Sequence, residues 1–310
     1  MRKGIHPENY RLVAFKDMSN DDIFITKSTP TNKENMMNNK KIAFIGGGNM
    51  AGSIINGLLN AGYNASQICV STPHAEKVEA LKQKFGICGT TSNAKAIEEA
   101  EVVVLAVKPQ MAAEALAEVT QKGLPRSAKL IISVMAGITV ASIQRLLPGT
   151  CEIIRVMPNT PALIGYGMAG LYASPKASAQ SKEFAEELLN SCGKTVWVPT
   201  EDGINDITAL SGSAPAYFFR FMECMAASAL KMGFSAQDAR SVIEQVALGA
   251  ANMVIKNQDK TLAELRAAVT SKGGTTYEAL RVFEEANLEK IVDDAMEACR
   301  LKAEDMSRKF

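Results

Sequence analysis

The stretch KIAFIGGGNMA, residues 41–51, constrains this chain more than any other feature. A short apolar run ends on three glycines and a helical pattern follows at once, so G-x-G-x-x-A sits at a strand-to-helix turn. Gly46 permits the tight turn, Gly48 lets a pyrophosphate approach the backbone, and Ala51 lets the helix pack closely on the strand. Alone, the spacing also fits a turn that binds nothing, so the surroundings decide. From residue 41 onward KIAFIG, QICVS, EVVVLAV, KLIISVMA, EIIRVM, GMAGLYA and TVWVP read as strands. Between them the stretches 49–61, 75–85, 94–100, 112–120, 140–147 and 178–190 carry helical spacing. Runs apolar at nearly every position belong to strands buried on both faces. Their alternation with helices predicts an α/β fold, a Rossmann-type doubly wound parallel sheet over residues 38–200 that holds a dinucleotide.

The strand signal vanishes after Pro199. Residues 201–310 read as helices broken at 232–233, 256–257 and 271–274, and segments such as FFRFMECMAASALKM are apolar nearly all round. A domain of roughly a hundred residues cannot bury such helices by itself. A helical dimer interface is the simplest cover. Residues 1–37 are polar, lack a secretory signal and read as an appended, flexible leader.

The 34 Lys and Arg balance 33 Asp and Glu to a net charge of +1, so no global field drives binding to nucleic acid or an anionic membrane. No apolar run approaches a bilayer span. With only His6 and His74, mechanisms built on paired histidines or a metal cluster lack material. The six cysteines are dispersed without a C-x-x-C and read as reduced core thiols of a cytoplasmic protein. These counts leave a small-molecule substrate or a protein partner.

About twenty residues past the glycines, where an NAD site places an acid on the ribose, stand Ser71 and Thr72, with His74 and Lys77 close by. Hydroxyls there tolerate a 2′-phosphate and favour NADP over NAD. Ala106-Val107-Lys108-Pro109, Ala136-Gly137 and Met157-Pro158-Asn159 follow strands, where ligands of open α/β sheets bind, although proline also simply ends pairing. In VTSKGGTTYE, Thr275 and Glu278 have capping-box spacing, predicting a helix from Thr276, and Gly273-Gly274 let a carboxylate reach its free amides. Ser211-Gly212-Ser213-Ala214-Pro215 is either a similar site or a close helix packing, with Pro215 suited to a first turn.

The motifs FIGGGNMA, AVKPQ, VMPNTPA, SGSAPAYFF and VTSKGGTTYEAL, in this order and spacing, resemble those of Δ1-pyrroline-5-carboxylate reductases over about residues 40–306. The resemblance implies reduction of a cyclic imine to L-proline by NADPH, with NADH weaker, in homodimers that can build decamers. It implies that Gly46, Gly48, Asn49 and Met50 contact the pyrophosphate, and Ser71 and Thr72 the adenosine phosphate. Ala106, Val107, Lys108, Pro109, Ala136, Gly137 and Asn159 would line the ribose and nicotinamide. Ser213, Gly273, Gly274, Thr275 and Thr276 would hold the substrate, with the Thr276 hydroxyl at the ring nitrogen as the catalytic group and no metal. Such an imine takes hydride once protonated from solvent, so orientation replaces a dedicated acid. The opening words IHPENYRLVAFKD resemble a type-B bacterial large-subunit ribosomal protein. Competing readings are a β-hydroxyacid-type dehydrogenase, for which Lys231 and Lys256 are the available lysines, an NADP-binding sensor without turnover, and a ribosome-associated fusion.

Overall fold

The structure, a computed structural model, describes the strands β1 (Arg11–Lys16) and β2 (Ile23–Ser28) and residues 40–147, 149 and 151–309. β1 and β2 pair antiparallel, Arg11 opposite Ser28 through Lys16 opposite Ile23, in a segment to which the sequence pattern assigns no element. The rest of the expected leader lies outside the described residues.

The main sheet has the order β10-β9-β8-β7-β6-β3-β4-β5. In chain order it alternates β3 (Ile42–Ile45), α1 (Asn49–Asn60), β4 (Ile68–Ser71), α2 (Ala75–Phe85), β5 (Cys88–Thr90), α3 (Asn93–Ile97), β6 (Val102–Leu105), α4 (Ala112–Lys122), β7 (Leu130–Ser133), α5 (Val140–Leu146) and β8 (Glu152–Met157). Then come β9 (Gly167–Ala173), α6 (Ala179–Asn190) and β10 (Gly193–Trp197). The helices and strands expected from periodicity are all found, with ends moved by a few residues. The strand β5, only Cys-Gly-Thr, is an addition, too short for its pattern to stand out.

On β3 the side chains alternate between two cores. Ile42 and Phe44 pack with Ile54, Leu58 and Ile132 on one face, and Ala43 and Ile45 pack with Ile97, Val103 and Ile131 on the other. This double burial is why the strand is apolar at every position. β3 pairs with β4 on one side and β6 on the other, so the chain reverses its direction of winding there. The crevice beyond the carboxyl ends of β3 and β6 is the ligand position of such sheets.

One expectation is corrected in part. The six strands β3 to β8 are parallel, but β8 and β9 run antiparallel, Ile154 opposite Ala173 and Met157 opposite Gly170. Residues 158–166 form only a short 3-10 turn, Thr160–Ile164, and a parallel return needs a crossover of roughly a dozen residues or more. β10 then lies parallel to β9 across α6.

The helical part comprises α7 (Gly203–Ile207), a π-helical turn (Thr208–Gly212), α8 (Ala214–Lys231), α9 (Ala236–Lys256), α10 (Leu262–Ala268), α11 (Thr275–Glu285) and α12 (Leu288–Arg308). Pro215 lies in the first turn of α8, as its missing amide suits. α12 returns onto α7 and the π turn, while α8 contains no buried residue. Phe218 and Phe219 are 67% and 62% exposed and Met232 75%, so a single chain leaves this apolar surface in solvent. The reading of the cysteines as core thiols is also corrected. All six are free, but only Cys192 is buried and Cys88 and Cys224 are exposed, because they sit on an edge strand and on the uncovered α8.

Candidate active site

The glycine turn joins β3 to α1. Gly46 has φ +101°, and a Cβ there would stand 2.5 Å from the Ala106 carbonyl oxygen and 2.9 Å from Val107 Cγ1. Its task is backbone conformation and closeness to the next strand exit. Gly48 differs. It caps α1 with φ −76° and ψ −174°, and a Cβ built on it meets nothing within 4 Å. The cap has no side-chain bond, the first turn has no acid, and the first amide to bond backward is Gly52, to Gly48. The amides of Asn49, Met50 and Ala51 therefore lack backward partners at the positive end of a helix whose cap position is open, which fits a pyrophosphate.

At the end of β4 the picture changes for one residue. Ser71 is fully buried and its hydroxyl donates to the Phe44 carbonyl at 3.3 Å, so the side chain expected on the adenosine phosphate is committed to the sheet. An inward position on a central strand leaves no outlet for it. Thr72 is buried beside Gly47, and its amide donates to the Thr90 carbonyl at 3.3 Å, tying the exits of β4 and β5 together. His74 caps α2 and, with Lys77, is exposed, so these two are the free donors at this end.

Ala106, Val107 and Pro109 are half-buried and Lys108 exposed at the β6 exit, which the Ala106 amide locks to Ile45 at 2.8 Å. Ala136 and Gly137 follow β7. Gly137 has φ +74° and faces the Met306 backbone of α12, so this glycine also seats the two domains against each other. Asn159 is buried, and its amide group is already employed. Nδ2 donates to the Ser211 carbonyl at 3.2 Å and Oγ at 3.3 Å, and Oδ1 accepts from the Met168 amide at 2.9 Å. Gly212 closes the same contact, since a Cβ there would meet Met157 Cε at 2.5 Å. Two motifs distant in sequence, VMPNTP and SGSAPAY, thus form one junction at the π turn, a local form frequent at functional sites.

The capping box at α11 is corrected. The helix begins at Thr275 with Gly274 as its cap, no side chain caps it, and Glu278 pairs instead with Arg281 at 3.0 Å. A glycine at φ −82°, ψ 172° takes the position that Thr275 was expected to hold. Gly273, at φ +72°, turns the chain into it, and Gly274 packs against Ser271. The result is a helix start more open than the box would give. Thr275, Thr276 and Tyr277 have no intrahelical partner for their amides, and both threonines are exposed. The capping box that does form, Thr261 with Glu264, starts α10 and was not singled out in the sequence.

Other residues came to light only in three dimensions. Arg155, 3% exposed on β8, pairs with Glu201 at 2.7 Å, and the same carboxylate oxygen accepts from the Val140 amide at 2.7 Å. One acid thus joins β8, the start of α5 and the entry to the helical domain. Ser213 accepts from Cys299 at 3.3 Å, and burial beside Cys299 pushes the Tyr217 phenol up to about 12, which keeps it protonated. Tyr217 lies inside SGSAPAYFF, so its signal was in the motif. Lys231 and Lys256, the lysines a hydroxyacid dehydrogenase would need, are exposed at the ends of α8 and α9.

Residues 201–306 match the family described as pyrroline-5-carboxylate reductase dimerisation, and residues 41–137 the family described as NADP oxidoreductase, coenzyme F420-dependent. A pyrroline-5-carboxylate reductase of Vibrio alginolyticus is 47% identical over 274 residues, covering 88% of this chain and all of the relative. This chain belongs to the pyrroline-5-carboxylate reductase family. The Pasteurella multocida reductase is 48% identical, with 88% of this chain and all of the relative covered. Among solved structures, the Coxiella burnetii reductase superposes with a TM-score of 0.81 at 38% identity, covering 87% of this chain and 99% of that one. The Plasmodium falciparum reductase, solved with NADP bound, gives 0.76 at 27% identity, covering 87% and 99%. The family matches begin at residue 41, and no match bears out the ribosomal likeness of the opening segment. Among the described residues no helix is long and apolar enough to cross a membrane, and no group of three or more His, Cys, Asp or Glu is placed to hold a metal ion.

Proposed function

We propose that this chain reduces Δ1-pyrroline-5-carboxylate to L-proline with NADPH, using residues 38–200 for the cofactor and 201–310 for substrate and dimerisation. Residues 1–37 take no part in the chemistry. The observation that carries the reading is the α11 start, where three amides stand unpaired behind a glycine cap in a chain of this family.

NADPH, when bound, supplies the hydride. The chain's own work is positioning. The α1 amides behind Gly48 neutralise a pyrophosphate, and His74 and Lys77, rather than Ser71, face the adenosine phosphate, so NADH binds more weakly. The exits of β6 and β7 carry Ala106, Val107, Lys108, Pro109 and Ala136 along the nicotinamide side. Asn159 acts by holding the β8 exit on the π turn that presents Ser213. At α11 the amides of Thr275 and Thr276 hold the substrate carboxylate, and the Thr276 hydroxyl accepts from the protonated ring nitrogen and donates to the product amine. A proton already on the imine removes the need for a histidine at the site.

Exposed threonines cannot exclude water in a lone chain. A second copy covering α8 and α9 closes the site and buries Phe218 and Phe219 in the same step. We infer further that such dimers assemble into decamers and work in the cytoplasm.

The test mixes purified protein, NADPH and pyrroline-5-carboxylate and follows cofactor absorbance together with proline formation. Proline formed one for one with NADPH consumed supports the reading. NADPH binding without turnover makes the protein a sensor, and reduction of NADP+ in a second mixture that holds NADP+ and a β-hydroxyacid instead favours the dehydrogenase.

A further inference from the structure

Cys69 and Cys88 are paired residues on the adjacent parallel strands β4 and β5, and their sulfurs lie 2.8 Å apart as free thiols. Register partners on neighbouring strands are separated by about 4.8 Å between strand axes, inside the Cα range of about 4.4–6.8 Å that a disulfide spans. Their side chains share one face, since parallel partners in register point the same way. β5 is the sheet edge and Cys88 is exposed, whereas Cys69 is partly buried against the core beneath α3. The proposed hydride transfer uses neither.

We propose that Cys69 and Cys88 form a reversible dithiol–disulfide site that responds to hydroperoxides or to oxidised glutathione and is coupled to occupancy of the adenosine end of the cofactor site. The coupling rests on the NADPH reading above, and the chemistry of the pair does not. Burial and the neighbouring thiol push the Cys69 thiol up to about 12, so the exposed Cys88 is the thiol that attacks the oxidant first. With a hydroperoxide, the Cys88 sulfur takes the terminal oxygen as the O–O bond breaks, giving a sulfenic acid and releasing an alcohol, or water from hydrogen peroxide. Cys69 then attacks the Cys88 sulfur, the S–O bond breaks, and the Cys69 proton leaves with the hydroxyl as water. With oxidised glutathione, Cys88 forms a mixed disulfide, one glutathione leaves as thiol, and Cys69 displaces the second. Two thiols are oxidised and one oxidant is reduced by two electrons in either route.

The coupling follows from where the strands lead. Two residues beyond Cys69 and Cys88, β4 and β5 end at Ser71 and Thr90, and the Thr72 amide bonds the Thr90 carbonyl at 3.3 Å with Thr72 against Gly47 of the glycine turn. A bond between the sulfurs ties β4 to β5 covalently two residues before that turn and restrains the relative motion of the two strand exits. By linkage, if oxidation changes NADPH affinity by some factor, NADPH changes the oxidation equilibrium of the pair by the same factor.

The test uses the full chain equilibrated in reduced and oxidised glutathione mixtures, with and without saturating NADPH, then acid-quenched, alkylated and mapped by mass spectrometry. We expect a Cys69–Cys88 link that dithiothreitol reverses and that Cys88→Ser and Cys69→Ser each abolish, with the reduced Cys88→Ser protein retaining parent activity. NADPH should shift the glutathione ratio at half-oxidation by about fivefold or more, the lower end of ordinary coupling energies, and the NADPH Kd of oxidised and reduced protein should differ by the same factor. Glutathione adducts on Cys88 without the intrachain link, at every ratio, overturn the site. A link whose equilibrium ignores NADPH overturns the coupling. Reduced protein that binds no NADPH, yet still forms the link, faults the cofactor reading and leaves the dithiol site standing.

Discussion

Gly46 and Gly48 stand two residues apart in one motif, and alanine at each should separate folding from binding. At Gly46 the backbone is left-handed, φ +101°, which costs an L-residue roughly 1–2 kcal/mol. The new Cβ would also press on the Ala106 carbonyl at 2.5 Å and carbon at 2.8 Å, backbone atoms locked to Ile45, and such overpacking adds about 1–3 kcal/mol. Gly46→Ala should therefore lose about 2–5 kcal/mol, a large share of the roughly 5–15 kcal/mol a domain has. At Gly48 the dihedrals suit any residue and the Cβ meets nothing within 4 Å. The gain in chain entropy and the poorer helix cap nearly offset, leaving stability within about 1 kcal/mol of the parent. The methyl group instead enters the open space beside the α1 amides, where a pyrophosphate would sit. Losing one charge-assisted hydrogen bond there, about 1.5–3 kcal/mol, weakens NADPH roughly ten- to a hundredfold. Urea unfolding gives the first quantity and NADPH fluorescence titration the second. If Gly48→Ala binds NADPH like the parent, or unfolds as readily as Gly46→Ala, the assignment of the α1 start to the cofactor is wrong.

Thr276→Val should lower kcat/KM about ten- to a thousandfold with NADPH affinity unchanged, and Thr276→Ser should recover most of the rate, as steady-state kinetics will report. Equal rates in all three would move the role to the amides of Gly274 and Thr275. Glu201→Gln leaves Arg155 as a buried unpaired charge and should destabilise by about 3–5 kcal/mol in thermal or urea unfolding; a change below about 1 kcal/mol would mean that water reaches the guanidinium. Light scattering should find a dimer or larger particle, and Phe218→Glu should shift it toward monomer with loss of activity, whereas an active monomer would remove the need for a second copy.

Periodicity carried most of the Rossmann part. IAFI, VVVL and LIIS are apolar at consecutive positions because both sheet faces are covered, and that demand is written locally in each strand. The glycine turn was legible for the same reason, since a left-handed residue and a close approach each leave glycine in the chain. Helix breaks at Gly233, Asn257 and Gly273-Gly274 were legible from turn chemistry alone.

Properties that depend on what lies opposite a residue came only with the tertiary structure. Whether the Ser71 hydroxyl meets a phosphate or the Phe44 carbonyl depends on which way a central strand faces, and Asn159 binds Ser211 across 52 positions of chain. The reversal of β9 follows from the way a short connection folds back, and Arg155 meets Glu201 because the helical domain begins beside β8. At α11, Thr275 and Glu278 have the spacing of a cap, yet Gly274 takes the capping position because backbone dihedrals, not spacing, choose where a helix starts. The sequence determined which residues want burial, turns and helix starts, because those preferences are local. Pairing across the sheet, the direction of each side chain and the thiol contact between Cys69 and Cys88 were settled by packing, because each needs two distant segments in register at once.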